Sequence, residues 1–314
     1  MKSICLLFSL FCILFVTSSF SQSREVAITI DDLPVVVKNS NLEKRQDITK
    51  RLLANIKAAR VPVIGFVNEN KLYVGGNLSD PDVQLLRQWL NQGLDLGNHT
   101  YSHMSLHANS IGDFEADVLR GEVVTRRLLG EKGKEIKYFR YPYLFTGLNL
   151  ETKAEVSAFL AKNHYTNAPV TIDDADWIFA RAYDNAMESG DLASKSAVGK
   201  AYIPYMRAKV AYWEAQSDMV LGYEIKQILL IHANSINADY FTELVKMFRK
   251  RNYQFITLGE ALKDPAFKKP DTFTRRAGIS WLHRWALDLG KDSLVPNEPL
   301  VPAFVMKLAG VDSE

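Results

Sequence analysis

The alternation of short apolar runs with capped helical segments constrains this chain most. Val26-Ala27-Ile28-Thr29-Ile30 is a run of β-branched and small residues that reads as a buried strand, ended by Asp31-Asp32 and stopped by Pro34. Further strands are expected over 61–67, 94–97, 136–140, 165–172, 227–232 and 255–258. Between them, Ser40-Asn41-Leu42-Glu43 reads as a capping box opening a helix to about Arg60. Asp80-Pro81 opens a second helix through Leu90, and Asp113 to Leu129 forms a third, closed by Gly130. Helices over 151–163 and 237–251 complete the pattern. Strands that alternate with helices imply a parallel sheet with right-handed crossovers. Every polar cluster falls just after a strand's C-terminal end, where α/β folds place their sites. The 314 residues suit one α/β domain, and barrels of this size are common.

The alternation breaks twice. Residues of about 178–226 read as a helical insert of two or three helices punctuated by Gly190 and Gly222. Its face of Tyr202, Tyr205, Met206, Val210, Tyr212 and Trp213 suits packing on the barrel, or forming a wall or lid over a cleft. A C-terminal extension of about 263–314 carries one helix, 279–289, with Trp281 and Trp285. We expect it to pack across the barrel, with an aromatic sugar platform as the alternative. No repeat, coiled coil or low-complexity tract is present.

The first residues bound the compartment. Lys2 is followed by an apolar run, Ile4 to Val16, and by Ser19-Phe20-Ser21. This reads as a signal peptide over 1–21, cleaved to leave a secreted or periplasmic protein over 22–314, a single catalytic domain. Both cysteines, Cys5 and Cys12, lie in that leader, so the mature chain has neither a disulfide framework nor thiol chemistry. Without Lys2, the 38 basic residues become 37 against 36 acidic ones. That balance argues against nucleic-acid or membrane-surface partners, and stable membrane insertion is not expected.

Adjacent carboxylates at the end of an apolar strand are costly unless something neutralises them. A metal ion is the simplest partner, and the histidines point the same way. His99 and His103 are four positions apart, a spacing that puts both imidazoles on one face of a helical turn, and His107 continues the series. Two histidines and one carboxylate leave a coordination position open, as catalytic zinc sites do. The residues alone do not say which of Asp31 and Asp32 is ligand and which is base. Strand alternation sends adjacent side chains to opposite sides and makes different roles sensible.

These stretches resemble the motifs of the polysaccharide deacetylases, the metal-dependent carbohydrate esterases related to the nodulation-factor deacetylase. Thr29-Ile30-Asp31-Asp32-Leu33-Pro34 resembles their Thr-Phe-Asp-Asp-Gly-Pro, and His99-Thr100-Tyr101-Ser102-His103 matches His-Ser/Thr-x-x-His. Phe139-Arg140-Tyr141-Pro142-Tyr143, Asp173-x-x-Asp176-Trp177 and Leu230-Ile231-His232 resemble the other three, and all five stand in the family's order. The resemblance implies a distorted, seven-stranded (β/α) barrel. It also implies that Asp31 is the general base, that Asp32, His99 and His103 hold a divalent metal, and that Arg140 keeps Asp31 ionised and oriented. Zinc is the first expectation, with cobalt or another divalent ion as alternatives. His232 would be the general acid, tuned by Asp176, and Trp177 and Leu230 would receive the acetyl methyl. The backbone amide of Tyr141 or a neighbour would help stabilise the oxyanion.

The departures concern shape. Leu33 replaces the usual glycine and is expected to make the cleft wall bulkier. The usual glycine after Tyr143 is displaced to Gly147, so Leu144-Phe145-Thr146 is expected to reshape the site. The insert and the tail are unlike compact members and look like a subgroup of exported bacterial proteins. The expected substrate is an acetylated glycan, N-acetylglucosamine oligomers or polymers first, with acetylated xylan as an ester alternative. Hydrolysis of non-glycan linear or cyclic amides, and carbohydrate binding without turnover, are the competing readings.

Overall fold

The computed structural model describes residues 24–314; the leader expected over 1–21 lies outside them. β1 (Arg24–Leu33) leads through α1 (Leu42–Ala59) to β2 (Val63–Val67). A small antiparallel ribbon, β3 (Tyr73–Val74) and β4 (Asn77–Leu78), and then α2 (Asp80–Asn91) precede β5 (Asp95–Asn98). Two helices, α3 (Ile111–Arg120) and α4 (Val123–Gly130), replace the single one expected over 113–129. β6 (Tyr138–Phe139), α5 (Leu150–Lys162) and β7 (Thr166–Asn167) follow. The insert is α6 (Asp176–Glu188) and α7 (Leu192–Leu221). β8 (Gln227–His232), α8 (Ser235–Lys250), β9 (Tyr253–Phe255), α9 (Leu258–Ala261), α10 (Trp281–Asp288) and α11 (Ala303–Ala309) complete the chain. No helix among the described residues is long and apolar enough to cross a membrane.

The seven main strands form one parallel sheet in the order β7-β6-β5-β2-β1-β8, with β9 joined to the start of β1. It curls: Ile172, downstream of β7, bridges Leu229 of β8, so the two edges meet. This is the expected seven-stranded α/β barrel, distorted at that seam. The strand expected over 165–172 keeps ladder pairing only at Thr166–Asn167. Pro169 cannot donate to a ladder, and the chain crosses there toward β8.

β1 is central because both of its faces are covered. Val26, Ile28 and Ile30 pack into the main core under the helices, while Ala27 joins Ile64, Phe66, Ala168 and Ile228 in a smaller cluster inside the barrel. Period-two alternation puts Thr29 and Asp31 on Ala27's side, so the barrel interior turns polar toward its C-terminal end. The pairing registers Asp31 with His232 and Asn98 with Phe139, which levels the strand ends that carry the motifs.

Helix starts shift slightly from expectation. Asn41, rather than Ser40, caps α1 by accepting from Lys44 N at 2.8 Å. The insert packs against α8 and α10, and α11 lies on α6, so insert and extension are built together on the barrel. Trp281 and Trp285 are 5% and 2% exposed, which removes them as a sugar platform.

Candidate metal centre and active site

Two neighbouring strand residues should diverge, yet Asp31 and Asp32 both face the same cleft. A β-bulge makes the difference. Ile30 pairs with Gly65 and Leu33 with Val67, so β1 spends one residue more than β2 over this step. Asp32 takes up the extra residue in a left-handed conformation, φ 70°. Alternation therefore does not separate the pair; the bulge turns Asp32 back beside Asp31.

The histidines also converge by a route the spacing did not predict. Residues 99–103 are a loop after β5 rather than a helical turn, with positive φ at Thr100 (63°) and His103 (58°). The loop is held from several sides. Asn68 Nδ2 donates to the His99 carbonyl at 2.6 Å, and Asp117 of α3 accepts from Ser102 N at 2.9 Å and from Ser102 Oγ at 3.0 Å. Tyr101 N donates to the Asp117 carbonyl at 3.0 Å. A Cβ on Gly121 would stand 2.4 Å from Tyr101 N, so the break between α3 and α4 lets the helix end touch this loop.

His99 Nε2 lies 3.9 Å and His103 Nε2 3.7 Å from Asp32 Oδ1. The three ligand atoms sit within 4.8 Å of one another. His99 Nδ1–H donates to the Arg140 carbonyl at 2.8 Å; because a carbonyl only accepts, Nε2 keeps its lone pair for a ligand. Burial lowers both imidazoles to about 4, so they are neutral, the form that binds a metal. Burial raises the Asp32 carboxyl, but Lys71 and the two histidines outweigh it and hold it low. Asp32 Oδ1 is buried with no hydrogen-bond partner among the described residues. A buried, ionised oxygen without a hydrogen bond, with the Lys71 ammonium 3.5 Å away and two imidazole lone pairs facing it, fits a divalent cation. His107 takes no part: its ring stacks on Phe145 at 4.0 Å and its Nε2 accepts from Gly147 N at 3.3 Å.

Arg140 is fully buried and reaches Asp31 Oδ2 through Nη1 at 3.4 Å. Its shorter bond, 2.8 Å from Nη2, goes to Thr29 Oγ1, which donates onward to the Leu229 carbonyl at 2.7 Å. Arg140 acts on Asp31 in the expected direction, favouring its charged form, but burial acts the other way. Burial pushes the Asp31 carboxyl up more than Arg140 pulls it down. A carboxylate raised in this way is a better base near neutral pH.

Across the β1–β8 pairing stands His232. Its Nδ1–H donates to Asp176 Oδ1 at 2.7 Å, and its backbone N–H reaches Asp176 Oδ2 at 2.9 Å. Asn234 and Asn237 donate to the same Oδ2 at 2.9 and 2.5 Å. Burial opposes the charged imidazole, but Asp176 overcomes it and raises His232 to about 10. The ring is protonated at neutral pH.

These groups open on one cleft of about 670 Å³. Tyr141, Trp177 and Leu230 line it as expected positions, Trp177 with 39% of its surface exposed. Leu33 does not. It is fully buried against Gly65, where a Cβ would come within 2.4 Å of its Cδ2, so the residue in glycine's place points into the core. Seven contributors went unread in the sequence. Lys71 donates to the Asp32 carbonyl at 2.9 Å, and Lys209 comes from the insert. Asn234 and Asn237 hold Asp176, and Glu298, Leu300 and Glu314 of the extension wall the cleft. Only Asn234, two residues after His232, had a local signal, as an asparagine cap of the next helix.

Residues 20–159 match the family model described as polysaccharide deacetylase. Solved structures similar to this chain include a CE4 family pseudoenzyme from Bacillus anthracis, 14% identical with a TM-score of 0.50 over 77% of this chain and 66% of that one. A mutant of that pseudoenzyme with restored enzymatic activity is 15% identical, TM-score 0.50, over 77% and 68%. The peptidoglycan deacetylase PdaC from Bacillus subtilis is 19% identical, TM-score 0.46, over 77% and 93%. At such identities the first two show a shared fold. No curated protein matches the chain.

Proposed function

We propose that this chain, whose residues 20–159 match the polysaccharide deacetylase family model, is an exported, metal-dependent hydrolase that removes acetyl groups from a glycan containing N-acetylglucosamine. One observation carries the reading. The Asp32–His99–His103 set opens on the same cleft as a raised carboxyl, Asp31, and a protonated imidazole, His232. Base and acid thus stand on paired strands beside a candidate Lewis-acid site.

Asp32, His99 and His103 would hold a divalent ion, with zinc the first expectation, which would supply polarisation of the acetyl carbonyl and acidification of water. Asp31 takes the proton from the attacking water, with Arg140 fixing the orientation of its Oδ2. His232, positioned by Asp176, delivers a proton from Nε2 to the departing amine, so the amide C–N bond breaks as the amine becomes neutral. Trp177 and Leu230 receive the methyl group, and the Tyr141 amide assists the oxyanion.

The test is acetate release across acetylated sugars, together with metal content. Asp31→Asn is expected to keep one metal equivalent and lose turnover; His99→Ala is expected to lose the metal itself. Metal loss in Asp31→Asn with retention in Asp32→Asn would reverse the assignment of the pair.

A further inference from the structure

The loop after β6 holds a conformation that its own sequence disfavours. Tyr143 and Leu144 have φ of 58° and 56°, left-handed values that side chains other than glycine's resist. Consecutive residues stay there only when their surroundings over-determine it. The surroundings here come from the C-terminal extension. Arg284 of α10, 2% exposed, donates from Nη2 to the Leu144 carbonyl at 2.5 Å. Its Nη1 reaches Thr146 Oγ1 at 2.9 Å and Asp271 Oδ2 at 2.7 Å, and its Nε reaches the Ile279 carbonyl at 3.0 Å. Lys153 Nζ completes the knot, 2.6 Å from Asp271 and 2.9 Å from the Phe273 carbonyl. The backbones also touch: a Cβ on Gly278 would stand 1.8 Å from the Tyr143 carbonyl oxygen.

What this loop presents matters to the centre. Tyr141, Tyr143 and Leu144 line the cleft, and the Tyr143 ring packs edge-on against His103 with centroids 4.4 Å apart. We propose that Arg284 is a positioning residue for the reaction, and that the C-terminal extension, through Arg284 and Gly278, sets the loop 141–146 against the metal-ligating His103. The glycine displaced to Gly147 fits this reading. Without glycine at the bend itself, the left-handed turn is imposed by packing from the extension. Arg284 does not line the cleft, so its effect is transmitted through the Leu144 carbonyl, Thr146 and the Ile279 carbonyl beside Gly278.

The proposal uses the deacetylase reading only for its activity readout, so two measurements are paired. Gly278→Ala leaves every charge in place and has no backbone conformation to strain, so it displaces the loop without stripping the ion network. It is expected to bind one zinc equivalent as the wild type does, to lower kcat/KM by about tenfold to a hundredfold, and to speed amide hydrogen exchange over 143–147. Arg284→Ala is expected to do the same, with activity partly restored by millimolar guanidinium and not by ammonium. Because Gly278 also lines the cleft, exchange is the deciding readout: unchanged exchange over 143–147 in Gly278→Ala would overturn the proposal whatever its kcat/KM, even if Arg284→Ala fails to fold. If the wild type releases acetate from no substrate, the deacetylase reading falls, and the exchange measurement decides this one alone.

Discussion

Asp176 gives His232 its charge, and that dependence has a definite sign in pH. Asp176, with no exposed surface, bonds His232 through both its ring and its backbone N–H, and the imidazole rises from 6.5 to about 10. A raised histidine contributes stability that is complete below about pH 6.5 and is lost as pH climbs through about 10. In the proposed reaction the same proton goes to the leaving group. Asp176→Asn is therefore expected to move the alkaline limb of kcat/KM down by at least about one pH unit, measured as a pH–rate profile. An unmoved limb would take His232 out of the acid role. At this scale the sequence was largely legible, because Asp31, Asp32, His99, His103, Arg140, Asp176 and His232 are costly residue types set at strand ends. Lys71 was not: a lysine between Asn70 and Leu72 in a short 3-10 turn carries no sign that it will lie against Asp32.

At the scale of elements, the bulge in β1 and the loop after β5 do what regular structure could not. Helical spacing brought His99 and His103 together for the wrong geometric reason, and strand alternation would have parted Asp31 from Asp32. His99 and His103 meet because positive-φ turns fold the loop, and Asp32 joins Asp31 because one residue of β1 has no partner in β2. Both depend on close packing that a local pattern does not record. Gly121 is the clearest case, since it lets α3 end against Tyr101. Gly121→Ala is expected to push the histidine loop off Asp117 and weaken zinc binding by about tenfold to a hundredfold, the usual cost of disturbing groups that orient metal ligands. Titration of chelator-treated protein measures it, and an unchanged affinity would mean the loop holds its shape without that contact.

For the whole molecule, the order of strands and helices was readable because each strand carries its own burial signal, whereas the barrel's closure and the cleft's walls depend on distant partners. Leu33 looked like a cleft residue in the linear motif, yet Gly65 on the next strand receives it in the core. The extension was expected to pack across the barrel, and its Glu298, Leu300 and Glu314 also line the cleft opposite residues far away in the chain. The insert proved both support and wall, packed on α8 while bringing Lys209 to the cleft. All of these surround one claim, that a divalent ion at Asp32, His99 and His103 makes the cleft a deacetylase. Acetate release from N-acetylglucosamine oligomers by chelator-stripped protein, before and after one equivalent of zinc is returned, tests it most directly. We predict no release from the stripped protein and recovery at one equivalent; release undiminished by stripping, or none from the zinc-loaded protein, would contradict it.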